Sequence, residues 1–593
     1  MSERPRAYEI LVVAVAAIIF LGTAFSPPHL MDDVDAVQAQ ISRNMLESGD
    51  WVTARLDGVK YLEKPPLKYW MIAVSYMIFG IHDWAARLPI ALSAVTLCWV
   101  VFRFGRWAFS PRAGFCAALA LATCIGLFLF TRVLIADVIL TLAVAVSLYG
   151  FLRCLDEQER NTRLWSAVFA GGIGCGLLLK GLIAAVFPIA AAGLFLLFTK
   201  ELFARRTWRR LHPFTGLLVI FAIAAPWHLL AIIRNPPYFD FTMHSGPGQY
   251  RGFFWFYFLN EHVFRFLNMR YPRDYNTVPL VYFWLLHLVW LFPWSAFLPG
   301  TLKLGYKPVD RAGRTRLLAL CWIGFVLVFF SFSTTQEYYS MPAYPAFALL
   351  LGCAVAADTA WLRAGLKVLV IVCSLAAAAC AAILVQVWNL PSPGDISNAL
   401  TQNPDAYTLS MGHMGDLTLA SFAYLRPPLA LAAVAFLIGA AAAFFWKSHR
   451  AYLGVALMMT LFTHAARVAM IQFDPYLSSW HLAEALRSSP PGKLIAEDQY
   501  YTFSSVFFYA GRDALLLNGR VNNLEYGSNA PGAPDVFLGD DDLKRLWHGS
   551  GSWYLVARKQ AVPHLESVVG PGALNVVKES GGKLLFSNRA AVH

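Results

Sequence analysis

The sequence has few charged residues and few cysteines for its length. Only 14% of its 593 residues are Asp, Glu, Lys or Arg, whereas a soluble domain usually has about 25%. The nine cysteines lie in or beside apolar runs and no two are spaced as CxxC, which argues against a zinc ribbon or a disulfide framework. The sequence also has no GxGxxG phosphate loop. These absences exclude an ordinary cytosolic enzyme, a disordered chain and a coiled coil.

The apolar residues are gathered into long runs. Hydrophobic residues make up 58% of the chain and the mean hydropathy is +0.52, so the sequence predicts a polytopic α-helical membrane protein. We predict about thirteen membrane helices, near residues 8–25, 85–103, 113–130, 133–152, 164–179, 181–199, 213–233, 278–299, 316–332, 339–357, 366–388, 427–446 and 452–470. The first run lacks a clean cleavage site, so it is interpreted as a retained helix. The segment 67–80 is short for a span and is interpreted as an interfacial helix.

The net charge of +12 is a sign of orientation rather than of a nucleic-acid partner. With a cytoplasmic N-terminus, every inside loop is basic, namely 103–112, 153–163, 200–210, 303–316, 363–367 and 447–450. The outside stretch 389–424 contains no Lys or Arg, as the positive-inside rule requires. The membrane domain is therefore predicted to span residues 1–470. Residues 471–593, which have more charge, Gly and Pro, are predicted to form a small α/β domain on the outer side of the membrane.

Two long outer segments, 26–84 and 235–277, carry polar residues that a passive linker would not need. The first begins with Asp32, Asp33 and Asp35, followed by an amphipathic helix to about Ser48. Carboxylates at a membrane surface can bind a metal, act as a base or contact a sugar hydroxyl. The alternative is that Asp32 or Asp33 only caps the helix.

Cations on the outer side are candidates for binding a phosphate. Lys64 precedes two prolines, and Lys68 lies on the same helix face if a helix begins near Pro65. The alternative is that both lysines snorkel to lipid headgroups. Lys180 stands alone between apolar runs, where a charge is costly and functional by default.

Further candidates lie in short turns and in the second outer segment. Arg132 and Asp137 flank one turn, and a structural ion pair between them is the alternative to a functional role. Arg270 could bind a phosphate in bidentate fashion. The aromatic run 253–258 is interpreted as an interfacial belt, with a groove for an isoprenoid chain as the alternative. Tyr338 and Tyr344 are either anchors or hydrogen-bonding partners of a phosphate or sugar.

Several motifs in this order resemble those of a known family, the bacterial aminoarabinose lipid A transferases. The family belongs to the protein O-mannosyltransferase-like glycosyltransferases with the GT-C fold. The resemblance covers roughly residues 1–357 and rests on SGDW, RLDGVKYLEKPPLKYW, FGIHDWAARLP, TRVLIADVILT, GLLLKG, PWHLLAIIRNPPYF, NEHVFRF and YYSMPAYPAFALLLG. This chain has Gln336 and Glu337 where relatives often have a basic or histidine residue before the tyrosine.

The resemblance implies an enzyme of the bacterial inner membrane. Such an enzyme transfers 4-amino-4-deoxy-L-arabinose from undecaprenyl phosphate to lipid A phosphates on the periplasmic side. The lower negative charge of lipid A then gives resistance to polymyxin and cationic peptides. The predicted catalytic residues are Asp33, Asp137 and Lys180. The predicted phosphate-binding residues are Lys64, Lys68, Arg270, Tyr61, Tyr338 and Tyr344.

Other interpretations stay open at this point. A different polyprenyl-phosphate sugar transferase, such as a protein O-mannosyltransferase-like enzyme, would use the same donor chemistry. A transporter or flippase for lipid-linked sugars is the non-enzymatic alternative, although no internal repeat is evident. No cofactor is required by the chemistry, and a divalent metal held by Asp32, Asp33, Glu261 and His262 stays open. The expected partners are the lipid-linked donor, lipid A and membrane lipid.

Overall fold

The computed structural model describes residues 5–244, 246–273, 278–357, 360–401, 415–446 and 449–589. Helices dominate the first 470 residues. They are α1 (Pro5–Phe20), α2 (Val34–Ser48), α3 (Leu67–Phe79), α4 (Asp83–Ala108), α5 (Pro111–Ala122), α6 (Ile125–Phe130), α7 (Asp137–Leu155), α8 (Thr162–Lys180), α9 (Ile183–Phe198), α10 (Arg205–Leu211), α11 (Pro213–Arg234), α12 (Gly252–Phe254), α13 (Leu280–Trp290), α14 (Leu298–Thr301), α15 (Arg311–Ser331), α16 (Tyr344–Ala356), α17 (Ala360–Val387), α18 (Arg426–Phe445) and α19 (His449–Gln472). A π-helix, Trp255–Phe264, continues α12.

The helices agree with the predicted apolar runs, but fewer of them have the full length of a span. Each of the thirteen runs coincides with a helix or a broken helix. Among the described residues, nine helices are long and apolar enough to cross a membrane, and a tenth candidate is the pair Leu280–Trp290 and Trp294–Thr301, bent by 94°. Helices α5 and α9, with 12 and 16 residues, are shorter. The protein is thus a multi-span membrane protein, and the count of thirteen stays a prediction.

Residues 474–589 form the expected sheet domain. Its helices are α20 (Asp474–Leu477), α21 (Trp480–Ser488), α22 (Ser504–Ala510), α23 (Asn522–Ser528), α24 (Asp540–Trp547) and α25 (Val562–Val569). Six strands, β3 (Lys493–Glu497), β4 (Ala514–Leu517), β5 (Phe537–Leu538), β6 (Trp553–Arg558), β7 (Asn575–Ser580) and β8 (Lys583–Ser587), pair in the order β5-β4-β3-β6-β8-β7. Strands β5, β4, β3 and β6 are parallel to one another. Strand β8 is antiparallel to both of its neighbours, β6 and β7.

The sheet domain is packed directly onto the first outer segment. Val37 and Ile41 of α2 share one apolar core with Phe503 and Phe507 of the sheet domain. Polar contacts fix the same interface, because the Lys583 ammonium lies 2.6 Å from the Asp32 carboxylate. The outer segment and the C-terminal domain therefore bury their apolar faces against each other, and burial of such surface stabilises both.

Candidate active site

A tight hairpin brings the first outer segment into the site. Strands β1 (Arg55–Leu56) and β2 (Val59–Lys60) are antiparallel. The turn between them consists of Asp57 and Gly58, both with positive φ, 45° and 76°, which is the arrangement that a two-residue hairpin turn requires. The buried side chains of Leu56 and Val59 hold the hairpin in the core. The chain that leaves β2 carries Tyr61, Glu63 and Lys64 into the interior.

Glu63 is the centre of the arrangement. Its carboxylate accepts hydrogen bonds from the Tyr61 hydroxyl at 2.7 Å and from the Asn523 amide at 2.8 Å. The Lys64 ammonium also contacts it, and the Arg265 guanidinium lies 3.5 Å away. Burial alone would raise the pKa of Glu63, but the nearby cations, led by Lys64, outweigh burial and hold that pKa well below its usual range. Glu63 is thus an anion in the folded protein.

A second carboxylate, Glu261, gathers two arginines. Arg265, one helical turn further along, donates to it at 2.9 Å. The buried Arg270 side chain also contacts Glu261 and donates to Asn523 at 2.6 Å. Since a guanidinium carries five donors in a planar fork, Arg270 is held from several directions at once. Its position is therefore fixed by the protein's own groups.

The third pair joins the ends of two helices. Lys180 ends α8 and Asp137 begins α7, and the ammonium lies 2.5 Å from the carboxylate. Each charge is favourable at its own helix end, because the helix dipole is positive at the N-terminus and negative at the C-terminus. The Lys180 ammonium also lies over the rings of Tyr338 and Tyr339, at 5.1 and 4.6 Å.

The three pairs form one continuous network. Arg265 links Glu63 and Glu261 and also donates to the Tyr339 hydroxyl at 3.2 Å, next to Lys180. We call these side chains the charge network. Its five cations and three carboxylates are Lys64, Lys68, Lys180, Arg265, Arg270, Glu63, Asp137 and Glu261. A small cavity beside it is lined by Lys64 together with apolar walls that include Trp227 and Phe253.

Lys68 belongs to the network through its charge. It is buried, donates to the Gln38 amide oxygen and to the Leu134 carbonyl at 2.9 Å, and feels the charges of Lys64 and Asp137. Burial and the repulsion by Lys64 lower its pKa to about 7. Lys68 is thus half-charged near neutral pH.

Most of the predicted site residues meet, although not always as expected. Tyr61, Lys64, Lys68, Asp137, Lys180, Arg270 and Tyr338 all lie in or directly beside the charge network. The helix expected near Pro65 begins at Leu67, with Pro66 at its cap position. Lys64 therefore precedes the helix and Lys68 turns inward. The alternative pairing of Arg132 with Asp137 is wrong, because Arg132 donates to the Thr23 carbonyl and Asp137 pairs with Lys180.

The acidic residues after α1 have separate environments. Asp33 is exposed, with φ of 71°, and occupies the cap position of α2 without a capping hydrogen bond from its side chain. Asp32 binds Lys583 and Ser479 of the C-terminal domain, so neither side chain caps α2 as the alternative interpretation required. Asp35 is the buried one. It accepts from Leu134 N–H at 3.0 Å and lies 3.6 Å from Arg87, and burial raises its pKa.

The structure also bears on the metal site and the aromatic belt that the sequence suggested. Within the described part of the chain, no three His, Cys, Asp or Glu side chains come together as a metal site, and Glu261 and His262 are bound instead to arginine and to backbone atoms. The belt interpretation fails for Phe253, Trp255, Phe256 and Tyr257, which are buried. Tyr344 is buried within the helix bundle beside Gly126 and Trp290.

The sequence reasoning did not select two members of the charge network, Glu63 and Arg265, or two of their hydrogen-bond partners, Tyr339 and Asn523. Glu63 adjoins Lys64 in the same motif, and Arg265 follows Glu261 by one helical turn, so a search for paired charges would have found both. Asn523 is 460 residues from Glu63, and a single neutral side chain gives no pattern.

The fold is of the GT-C type. It is similar to ArnT from Cupriavidus metallidurans bound to undecaprenyl phosphate, with a TM-score of 0.78, 23% identity and 98% of each chain covered. The apo form of that protein gives a TM-score of 0.77 at 22% identity, with 99% of each chain covered. At this identity the likeness establishes the fold. The GT-C fold expected from the sequence is thereby confirmed.

Sequence comparisons point to the family that the motifs resemble. A sequence model described as dolichyl-phosphate-mannose-protein mannosyltransferase matches residues 63–229. An undecaprenyl phosphate-alpha-4-amino-4-deoxy-L-arabinose arabinosyl transferase of Pseudomonas fluorescens is 31% identical over 54% of this chain and 51% of its own. A transferase of the same name from Pseudomonas aeruginosa is 30% identical over 59% and 60%. The chain thus spans about half the length of the curated relatives it matches, and its predicted resemblance to these transferases is confirmed.

Proposed function

We propose that this protein transfers 4-amino-4-deoxy-L-arabinose from undecaprenyl phosphate to a phosphate of lipid A. The observation that carries the proposal is the charge network, in which five cations face three carboxylates. The excess of positive charge matches a phosphate group, and guanidinium and ammonium groups are its usual ligands. The likeness to ArnT and to the arabinosyl transferases supports the choice of sugar and carrier.

The chemistry moves negative charge onto a leaving phosphate. The bond between the anomeric carbon and the oxygen of undecaprenyl phosphate breaks, and a bond forms between that carbon and an oxygen of the lipid A phosphate. The leaving group then holds the electron pair and one more negative charge than it held in the donor. Preorganised cations stabilise such developing charge strongly where water is excluded. Lys64, Lys180 and Arg270 are proposed for this role.

The carboxylates have a different task. A lipid A phosphate is already ionised near neutral pH, so the acceptor does not need a strong general base. Asp137 is proposed to hold Lys180 in place. Asp33, which is exposed beside the sheet domain, is proposed to contact the donor's amino group. A phosphate fits the network without a metal, because the hydrogen-bond donors of the network are themselves cations.

The proposed location is the periplasmic side of the inner membrane. Basic loops on the opposite side of the predicted spans support a cytoplasmic N-terminus and a periplasmic C-terminal domain. Undecaprenyl phosphate would place its chain in the membrane and its phosphate at the surface. The same transfer would lower the negative charge of lipid A and so give resistance to polymyxin.

Mass spectrometry of lipid A tests the proposal. The protein and its Lys180→Met variant would be expressed in a strain that lacks its own aminoarabinose transferase but makes the donor. We expect lipid A with added aminoarabinose for the wild type and little for the variant. Lipid A that stays unmodified with a folded wild-type protein in the membrane would contradict the proposal.

A second candidate is a protein O-mannosyltransferase-like enzyme that uses another acceptor. The match of residues 63–229 to the mannosyltransferase model favours it. A sugar added to membrane or periplasmic proteins, with lipid A unchanged, would identify this alternative in the same experiment.

A further inference from the structure

The C-terminal domain contributes one side chain to the centre of the charge network. Asn523 stands at the start of α23 and is 4% exposed. Its amide nitrogen donates to Glu63 at 2.8 Å, and its amide oxygen accepts from Arg270 at 2.6 Å. It thus bridges the two outer segments, since Glu63 belongs to residues 26–84 and Arg270 to residues 235–277.

An asparagine suits this position chemically. The amide nitrogen faces a carboxylate and the amide oxygen faces a guanidinium. In the flipped orientation the amide oxygen would face the carboxylate oxygen and the amide N–H groups would face the guanidinium N–H groups. A neutral side chain also leaves the charge of the network unchanged. An aspartate of the same shape would add a third carboxylate beside Glu63 and Glu261 and would lower the positive charge that a phosphate meets.

The surroundings hold Asn523 in place. The Tyr526 ring stacks on Phe256 at 4.1 Å, and its hydroxyl donates to the Gly252 carbonyl at 2.9 Å. Glu525 accepts from the Tyr271 hydroxyl at 2.9 Å. Helix α23 is therefore bound on several sides to the second outer segment, and the Asn523 amide has little freedom to move.

We propose that Asn523 is a positioning residue, through which the C-terminal domain holds Glu63 and Arg270 in the geometry that binds the phosphate of undecaprenyl phosphate. The proposal rests on the proposed function for the identity of the ligand. It gives the C-terminal domain a part in donor binding. The site is incomplete without this domain.

The test is Asn523→Asp in the full-length protein. The matched control is Asn522→Asp, because the neighbouring Asn522 contacts Gln499 of its own domain. The affinity for undecaprenyl phosphate and the KM and kcat of transfer would be measured for both variants and the wild type between about pH 5.5 and about pH 8. Thermal unfolding would show that each variant is folded.

We expect the introduced carboxylate to weaken binding in a pH-dependent way. Near pH 8 the Kd and the donor KM of Asn523→Asp should rise about tenfold relative to wild type, as for the loss of one charge-assisted hydrogen bond, with a smaller change in kcat. Burial and the adjacent Glu63 carboxylate favour the protonated form of this aspartate, whereas the Arg270 guanidinium favours its ionised form. Towards pH 5.5 its protonated form donates to Glu63 and accepts from Arg270 as the amide does, so the difference from wild type should shrink. Asn522→Asp should bind like wild type throughout.

Two results would overturn the positioning role. One is a folded Asn523→Asp protein that binds undecaprenyl phosphate like wild type at every pH. The other is an equal weakening of binding by the control Asn522→Asp, which would mean a general structural defect. The proposed function fails separately, when the wild type binds undecaprenyl phosphate but transfers no aminoarabinose. In that case the binding data still decide the role of Asn523.

Discussion

Single side chains of the charge network are held by opposite charges that belong to the protein itself. Lys180 is paired with Asp137 at 2.5 Å, and Arg265 lies between Glu63 and Glu261. Fixed partners cost the protein some of the attraction that a phosphate would feel, but they remove the need to reorganise the cations during the reaction. Substitution of one member of a pair, compared with substitution of both, should therefore separate the effect on stability from the effect on activity.

Lys180 and Asp137 allow this separation. Lys180→Met leaves the buried Asp137 without its cation, which should lower the free energy of unfolding by about 3 kcal/mol and transfer activity by about 100-fold or more. The double variant Lys180→Met, Asp137→Asn should regain much of the stability, because no unpaired charge remains, but not the activity. Denaturation and transfer assays on both variants would measure the two effects.

Lys303→Met is the matched control, since Lys303 is exposed in a loop far along the chain. It should leave both quantities unchanged. Recovery of transfer in the double variant would contradict a direct role of Lys180.

Lys68 should make donor binding depend on pH. Its pKa of about 7 means that the side chain gains its charge as the pH falls through neutrality. The phosphodiester of the donor keeps its charge over this range, so the affinity for donor should rise when the pH is lowered from about 8 to about 6. Titration of binding in wild type and Lys68→Met would test this, and equal pH slopes in both proteins would refute it.

At the scale of elements, the hairpin of β1 and β2 meets the sheet domain through two acids. Asp57 in the hairpin turn is buried and faces Asp513, the residue before β4. The buried Tyr500 hydroxyl is also close to both carboxyls. Burial, together with the charge of Asp513, raises the pKa of Asp57 well above 3.8. The protonated form of Asp57 is thus the one that fits this contact.

Stability should accordingly fall as the pH rises. The folded-state pKa of Asp57 is higher than the unfolded value, so its contribution is complete below about pH 4 and is lost as the pH rises through the folded pKa. Asp57→Asn should unfold at a higher temperature than wild type at neutral pH and should lose this part of the pH dependence. Thermal unfolding at several pH values would measure both.

The exposed Asp541 in α24 provides the control. Asp541→Asn should keep the pH dependence of the wild type. A melting temperature that rises between about pH 4 and neutrality at the same rate in the wild type and in Asp57→Asn would contradict the expected sign.

The charged residues show what the sequence could predict and what it could not. Lys180 and Arg270 could be found because they are cations that the orientation rule does not explain. The helices could be predicted because each apolar run has the composition of a membrane helix, but not the break of one run between α5 and α6 at Thr123 and Cys124. Asp33 was favoured over Asp35, because spacing along the chain does not show which of two neighbouring carboxylates is buried.

At the scale of the whole molecule, the basic loops between the membrane helices and the sheet domain should lie on opposite sides of the membrane. The basic loops predict that Lys303 faces the cytoplasm and that Ser567 in α25 faces the periplasm. Both residues are exposed, and the nine native cysteines are buried or half-buried. A membrane-impermeant thiol reagent should therefore label Ser567→Cys in intact spheroplasts and Lys303→Cys only after permeabilisation. The reverse pattern would invert the topology.

The carboxylates of the charge network have a consequence for selectivity. Glu63 and Glu261 act as resident counter-ions, so an incoming phosphate exchanges with anions that belong to the protein instead of displacing salt from solution. Affinity should then depend only weakly on ionic strength. Inorganic phosphate, dilute in the surrounding water, competes poorly with two tethered carboxylates. Under the proposed function, a phosphate on a long isoprenoid tail would be concentrated at the membrane surface, and this local abundance would let it win the exchange.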